Sequence, residues 1–576
     1  MLYQAQGAYA QAEPLLARAT DIAEQQLRTE LERLSEPRKR ASMALLQGET
    51  EGLVSFHADV VPGSEPALEL ALTTVLQRKG RIVDSLVDSQ TRLRAHLTPA
   101  LQQQLDQLSR VRSELVGQLY APAGPPAAAA AHRDAIKALR TRMDELEAAL
   151  SAASDEFRTQ VAPVTMAAVQ AQIPADAALV EFVRYHRFDP RQPQPWQEER
   201  YVAYLLTQQG PPRWVALGEA KPIDAAVDAV LAAMDGRIAA TTARATLRRL
   251  DDQLLAPIRA QLSGIAHLIL APDGKLNLVP FEALVDPQGR YALDSYLVSY
   301  VSSGRDLLRL ALPQPPRSSA VLIAGPDYGP VPRSPGPDQL TFTQLTGAAA
   351  EATDLQRYFP TAAVTDKKAT KAALAMLTGP AMLHVATHGF YGWRAGLAGA
   401  ATRGPATRGP WPDLLRGPRG APPPPTHDLS DALDQAGLAM TDANRGPAGI
   451  VTAREIAGFD WTGTQLVVLS ACQTGLGAVA SGDGVYGLRR ALVLAGAASQ
   501  VVSLWSVADA STPALMRDYY AALQHGTGRA EALRQAKRRL LQQPRYAHPF
   551  FWAAFIPAGD WRPLDATAFL PQRSTR

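Results

Sequence analysis

One cysteine, Cys472, occurs in 576 residues. This scarcity excludes an intramolecular disulfide and any zinc site built from several thiolates. Cys472 is therefore either a small buried apolar residue or a reactive thiol. No apolar run reaches the roughly 18 residues of a membrane-spanning helix. The opening MLYQAQGAYAQAEPLL has neither the basic head nor the apolar core of a secretory signal. Neither sign of charge dominates: the net charge is +3, and the arginines are scattered rather than gathered in one run. That argues against a dedicated nucleic-acid binder. A Walker A sequence and a G-x-S-x-G elbow are both missing. These absences together lead us to expect a cytoplasmic protein with no cofactor, no metal, no membrane association and no nucleic-acid partner.

The first part of the chain reads as helix. Gly7, Tyr9, Ala12, Leu16 and Ala19 follow the spacing of the second half of a tetratricopeptide repeat. In that reading Ala12 and Ala19 let two helices approach, and Leu16 fills between them. A plain amphipathic helix is the alternative. Helical patterning continues over 24–47, 65–118 and 129–160, broken by APAGPPAAAA at 121–130. Leu101, Leu105 and Leu108, and then Ile136, Leu139, Met143, Leu146 and Leu150, repeat at helical spacing and predict a packed helical hairpin.

The pattern changes near residue 175. ALVEFVRY (178–185), YVAYLLTQ (201–208) and RWVALGE (213–219) are short, rich in β-branched and aromatic residues, and separated by turn residues. From 267 onward apolar strands alternate with helices: HLILAPDG (267–274), SAVLIAGP (319–326), AMLHVATHG (381–389), TQLVVLSAC (464–472), SQVVSLWSV (499–507) and AAFIPAGD (553–560). Helices fit between them at 346–358, 369–377, 452–457, 484–495, 511–523 and 528–542. Nearly continuous apolar strands between helices predict an α/β fold with a mostly parallel sheet covered on both faces. The expected division is a partial repeat over 1–25, a helical region over 26–170, a small mixed β/helical subdomain over 171–265, and an α/β domain over 266–576. In open sheets of this kind ligands bind beyond the carboxyl ends of the strands.

Two of those ends carry reactive residues. AMLHVAT runs into His388-Gly389, and QLVVLSA runs into Cys472-Gln473-Thr474-Gly475. If the two strands are parallel neighbours, a thiol and an imidazole distant in sequence meet at one sheet edge. The thiolate is the nucleophile of such a pair, and the imidazole takes its proton and returns it to the leaving amine. The backbone N–H groups of Gly389 and Cys472 are the candidate oxyanion donors, with no Cβ at 389 to obstruct the substrate carbonyl. Gly475 and Gly477 allow the following loop to turn sharply.

Other patterns are less telling. His384 and His388 form H-x-x-x-H, but four residues of strand separate their Cα atoms by roughly 13 Å, too far to share one metal ion. His384 is expected to be a buried, hydrogen-bonded histidine. Residues 482–487 match G-x-G-x-x-G, yet the preceding strand ends at Cys472, so these glycines are not its first turn. Asp483 and Asp509 follow loops at the carboxyl edge of the sheet. Either is a candidate for a pocket taking a basic substrate side chain; the alternatives are a solvated carboxylate or, for Asp509, a helix N-cap.

Several segments, in order, carry a family resemblance: LAPDGKLNLVPFEALVD (270–286), VSYVSSGRDLL (298–308), HVATHGF (384–390), VVLSACQTGLG (467–477), GDGVYGLRRALVLAGAASQVVSLWSVAD (482–509) and HPFFWAAFIPAGDW (548–561). TVLQRKGRIVDSL (74–86) is similar to the helical lead-in of the same proteins. The chain resembles the CHAT family, caspase-like proteases associated with tetratricopeptide repeats and similar to caspases and separase. The resemblance implies a caspase-like α/β/α sandwich of bacterial type, peptide-bond hydrolysis in a protein partner, and His388 and Cys472 as the dyad. It also implies a regulatory or defence role, with a regulator bound by the N-terminal helices. Two departures argue against transferring aspartate specificity. The cysteine lies in Ser470-Ala471-Cys472-Gln473-Thr474-Gly475 rather than Gln-Ala-Cys-x-Gly, and the His-to-Cys gap far exceeds the roughly 50 residues of caspases. Most of that gap is a Pro/Gly/Arg-rich insertion at 392–427, expected to be an exposed loop that is self-cleaved, covers the cleft, or has no role. A catalytically silent scaffold and a nucleotide-binding signalling protein are the rival readings.

Overall fold

The computed structural model describes residues 2–31, 34–121, 129–155, 163–234, 236–312, 314–333, 340–391, 432–471, 477–480, 484–507 and 511–570. Up to Gln170 the described chain is helical, with long helices Tyr9–Glu30, Glu36–Ser55, Glu65–Arg78, Arg81–Ala95, Pro99–Tyr120 and Ala129–Asp155. The segment 65–118, expected to be helical, holds three helices. Gly80 adopts a left-handed φ of 75°, which stops the first, and Thr98 caps the third through Leu101 N–H with Pro99 in its first turn. The expected hairpin forms: Leu101, Leu108, Met143, Leu146 and Leu150 share one apolar cluster, with Leu105, Ile136 and Leu139 against it. At the N-terminus Ala12 is buried against Phe56 and Ala67 with Leu16 beside them, whereas Ala19 faces solvent. Ala19 therefore does not serve the close helix approach expected of it. Among the described residues no helix is long and apolar enough to cross a membrane.

The strands are β1 (Ala177–Phe188), β2 (Trp196–Thr207), β3 (Arg213–Glu219), β4 (His267–Ala271), β5 (Leu297–Tyr300), β6 (Val321–Pro326), β7 (Val364–Asp366), β8 (Met382–Ala386), β9 (Gly389–Phe390), β10 (Gly437–Ala439), β11 (Ile450–Thr452), β12 (Leu466–Ser470), β13 (Gly477–Ala480), β14 (Gly484–Gly487), β15 (Ser499–Ser503) and β16 (Phe555–Gly559). Eleven of them form one sheet in the order β3-β2-β1-β4-β5-β16-β15-β12-β8-β6-β7. The β1–β2, β2–β3 and β15–β16 pairings are antiparallel and the rest parallel, so the sheet is mostly parallel, as expected. The strands of the segment 171–265 extend this same sheet, because β1 pairs in parallel with β4.

Both faces are covered. His384 pairs with Val468, and that face meets the helices Thr346–Leu355 and Thr512–Gln524 through Glu351 and Tyr520. Gln500, one register step away beside Val467, points to the other face and donates to the Arg489 carbonyl of the helix Leu488–Ala495. Residues 484–487 were expected to begin that helix. They instead form β14, antiparallel to β13, because glycines at 484 and 487 bracket a β-favouring Val-Tyr pair and the helix starts only at Leu488.

The helical region is joined to the sheet and to the helix Leu488–Ala495 by buried ion pairs. Lys79 lies 2.7 Å from Glu181 of β1, and Arg490 lies 3.1 Å from Glu36. Burial tends to raise the Glu36 carboxyl, but Arg490, Arg40, Arg454 and Arg112 together override it and bring it to about 2.

Candidate active site

β8 and β12 are adjacent and parallel, in register from Met382 beside Leu466 to Ala386 beside Ser470. Their apolar residues are fully buried, as continuous apolar runs between two helical layers must be. The chain leaves β8 at Thr387, which polar contacts hold on three sides. Its N–H donates to Ser470 O at 3.3 Å, and its hydroxyl donates to Ala439 O. With that proton committed, Tyr328 Oη is the donor in the 2.9 Å contact between the two hydroxyls.

His388 follows, half-buried, at the carboxyl edge of the sheet. Its Nε2 lies 2.8 Å from Thr343 O. A carbonyl can only accept, so Nε2 carries the proton and Nδ1 is the accepting nitrogen of the neutral ring. The ring is walled by Tyr328 and Phe342, with centroids 5.2 Å and 5.6 Å away. The Thr343 carbonyl is itself held in place: the preceding Phe342 N–H donates to Asn444 Oδ1 at 2.8 Å, while Asn444 Nδ2 donates to Phe342 O at 2.8 Å and to Gly329 O at 3.0 Å.

Gly389 opens β9 opposite Leu438 of β10. Because Ala439 N–H donates to His388 O at 2.9 Å, Gly389 and Leu438 are a non-hydrogen-bonded pair, and the Gly389 N–H points away from β10. On the neighbouring strand end, Ser503 donates to Ala471 O at 2.6 Å. Cys472, Asp483, Asp509 and the insertion 392–427 lie outside the described residues. Among the sequence-derived site residues, the structure thus places His388 and Gly389. His384 is fully buried, with Nδ1 3.0 Å from Tyr520 Oη, as expected of a hydrogen-bonded core histidine.

Sequence reasoning missed the Thr343 carbonyl, the Phe342–Tyr328 walls and Asn444. A backbone acceptor leaves no mark in side-chain identity, and Asn444 sits in an irregular stretch where asparagine is common. The arrangement as described can hold an imidazole in one tautomer at a strand end, with a backbone amide turned outward beside it.

Comparison with known proteins gives the chain a family. The CHAT domain profile matches residues 244–560. Tetratricopeptide repeat protein 28 of Homo sapiens is 27% identical over 348 residues, covering 57% of this chain and 14% of its own length. The Mus musculus protein of the same name is 26% identical over the same shares. The chain thus spans a small part of these curated relatives. Among solved structures, the Arg-specific cysteine proteinase gingipain R superposes with a TM-score of 0.32 at 9% identity, covering 57% of this chain and 69% of its own. The Saccharomyces cerevisiae separase–securin complex gives a TM-score of 0.41 at 9% identity, covering 94% of this chain and 40% of its own. Since the profile takes in more than half of its residues, the chain belongs to the CHAT domain family.

Proposed function

We propose that the protein is a caspase-like cysteine endopeptidase acting on a protein partner, with Cys472 as nucleophile and His388 as general base. The observation that supports this most is the register. Ser470 lies beside Ala386 in adjacent parallel strands, and in the sequence Cys472 and His388 each follow two residues on. In the proposed reaction His388 Nδ1 takes the thiol proton while Nε2–H stays on Thr343 O, so the imidazolium that forms keeps a hydrogen-bond acceptor. The thiolate adds to the scissile carbonyl, and the oxyanion takes the N–H groups of Gly389 and Cys472. Collapse breaks the C–N bond, with Nδ1 returning the proton to the amine. Water, deprotonated by the same nitrogen, then hydrolyses the thioester. Asp509 and Asp483 are proposed to line the pocket for a basic P1 side chain, and the N-terminal helices to bind a regulator. No cofactor enters this scheme.

The test is cleavage of a peptide panel varied at P1. Cys472→Ala and His388→Ala should each abolish cleavage while leaving the circular dichroism of the folded protein unchanged. A preference for Arg or Lys at P1 of about tenfold or more supports the acidic pocket. Full activity in Cys472→Ala refutes the dyad. A wild-type thiol that reacts with electrophiles no faster than free cysteine favours the silent-scaffold reading, which accords with curated relatives named for their repeats.

A further inference from the structure

A second polar cluster lies beneath the strand ends. Ser470 Oγ donates to Glu351 Oε2 at 2.9 Å from β12 to the helix Thr346–Leu355. On β8, His384 occupies the same sheet face, with Nε2 3.2 Å from Glu351 Oε1, a close approach off the line of a hydrogen bond. Its Nδ1 faces Tyr520 Oη. Burial holds the Tyr520 phenol well above its ordinary range, so it keeps its proton and can donate to Nδ1, the arrangement in which Nε2–H faces Glu351. Ser470, His384, Tyr520 and Glu351 are all buried. Polar groups placed in a sheet of Val, Leu and Ala are costly unless each finds a partner, and a well-packed apolar set would fill the same space without that cost.

The location of the cluster suggests what it does. Ser470 is the last residue of β12, two before Cys472, and its carbonyl receives the Thr387 N–H. Glu351 lies on the helix whose lead-in carries Thr343, the acceptor that sets the His388 tautomer. One carboxylate therefore ties the strand leading to the thiol to the element that holds the imidazole. We propose that Glu351 and Ser470 are positioning residues for the dyad, fixing how far the end of β12 stands from the Thr343–His388 contact. This rests on the dyad reading above.

A chain with one cysteine gives a direct readout. The rate at which iodoacetamide alkylates Cys472 at neutral pH is followed by intact mass, alongside kcat and KM on the best peptide. Wild type should react faster than His388→Ala. Ser470→Ala, which removes only a hydroxyl, should slow alkylation toward the His388→Ala rate and lower kcat on the order of 10- to 100-fold, with KM little changed. Glu351→Leu should do the same. Glu351→Gln, which keeps an acceptor for Ser470, should stay within about threefold of wild type. If Ser470→Ala lowers only the melting temperature and leaves alkylation and kcat per reactive thiol unmoved, the cluster is structural and the proposal is overturned. If wild type and His388→Ala alkylate alike, the dyad reading fails, and the positioning role falls with it.

Discussion

Lys79 is the clearest place to measure how firmly the helices are bound to the sheet. Its ammonium lies 2.7 Å from Glu181 and donates to the carbonyls of Phe182 and Ala271 at 2.9 Å and 2.8 Å. The two side chains are 3% and 1% exposed, so solvent screens the pair little. Glu181 also accepts from Gly304 N–H at 2.7 Å. Burial raises the Glu181 carboxyl even with Lys79 pulling it down, so desolvation outweighs attraction. Two consequences follow. Lys79→Met strands a buried carboxylate and should cost about 3–5 kcal/mol, a large share of the roughly 5–15 kcal/mol that holds a typical domain folded. Lys79→Met with Glu181→Gln removes the stranded charge but keeps an acceptor for Gly304, and should recover about 2 kcal/mol or more of that loss. The assay is urea unfolding of wild type, both single variants and the double. A Lys79→Met cost under about 1 kcal/mol, or a double variant no better than the sum of the singles, would show that the pair is not coupled as argued.

Two further outcomes are expected. Burial brings His57 and His267 each down to about 4 from 6.5. Their folded forms resist protonation, so stability is full above about pH 6.5 and falls as pH drops toward 4, by up to about 3 kcal/mol per histidine. His57→Gln, which keeps an acceptor for Tyr204 Oη, should flatten the melting temperature against pH in that window, and an unchanged slope refutes the assignment. Asn444→Ala releases Phe342 and with it the Thr343 carbonyl, and should lower kcat about tenfold or more while the fold persists. Unaltered kcat would show that this carbonyl needs no such support.

The legible parts of the chain were those where one physical signal dominated. Runs such as LVVLS and MLHVA are apolar at four of five positions, and each proved to be an interior strand within three residues of its expected bounds. Short elements were less legible. β7 has three residues, half-buried or exposed, too few to show any period, and β14 was hidden in a stretch expected to open the helix 484–495. His388 and Gly389 could be picked out as candidates because a reactive side chain ending an apolar strand stands out. The Glu351–Ser470 contact could not: Glu351 sits in TGAAAEATDL among small residues, and only the fold shows that Ser470 is its partner.

The position of β16 has a consequence for how the molecule is made. This strand follows every other strand of the sheet in chain order, yet lies at its middle, between β5 and β15. Until it is in place the sheet cannot close, since β5 and β15 each lack the neighbour on their inner edge. Closing it joins Ala558 to Tyr300 and Gln500, contacts of long sequence separation that form slowly. During that interval two strand edges stay open to solvent, the condition under which chains pair with the wrong partner. The strands that carry the proposed dyad, β8 and β12, both belong to the half that also holds β15. A nascent chain can therefore assemble the surroundings of His388 before the sheet is whole, and the half containing β1–β5 must wait for its last strand to be locked against them.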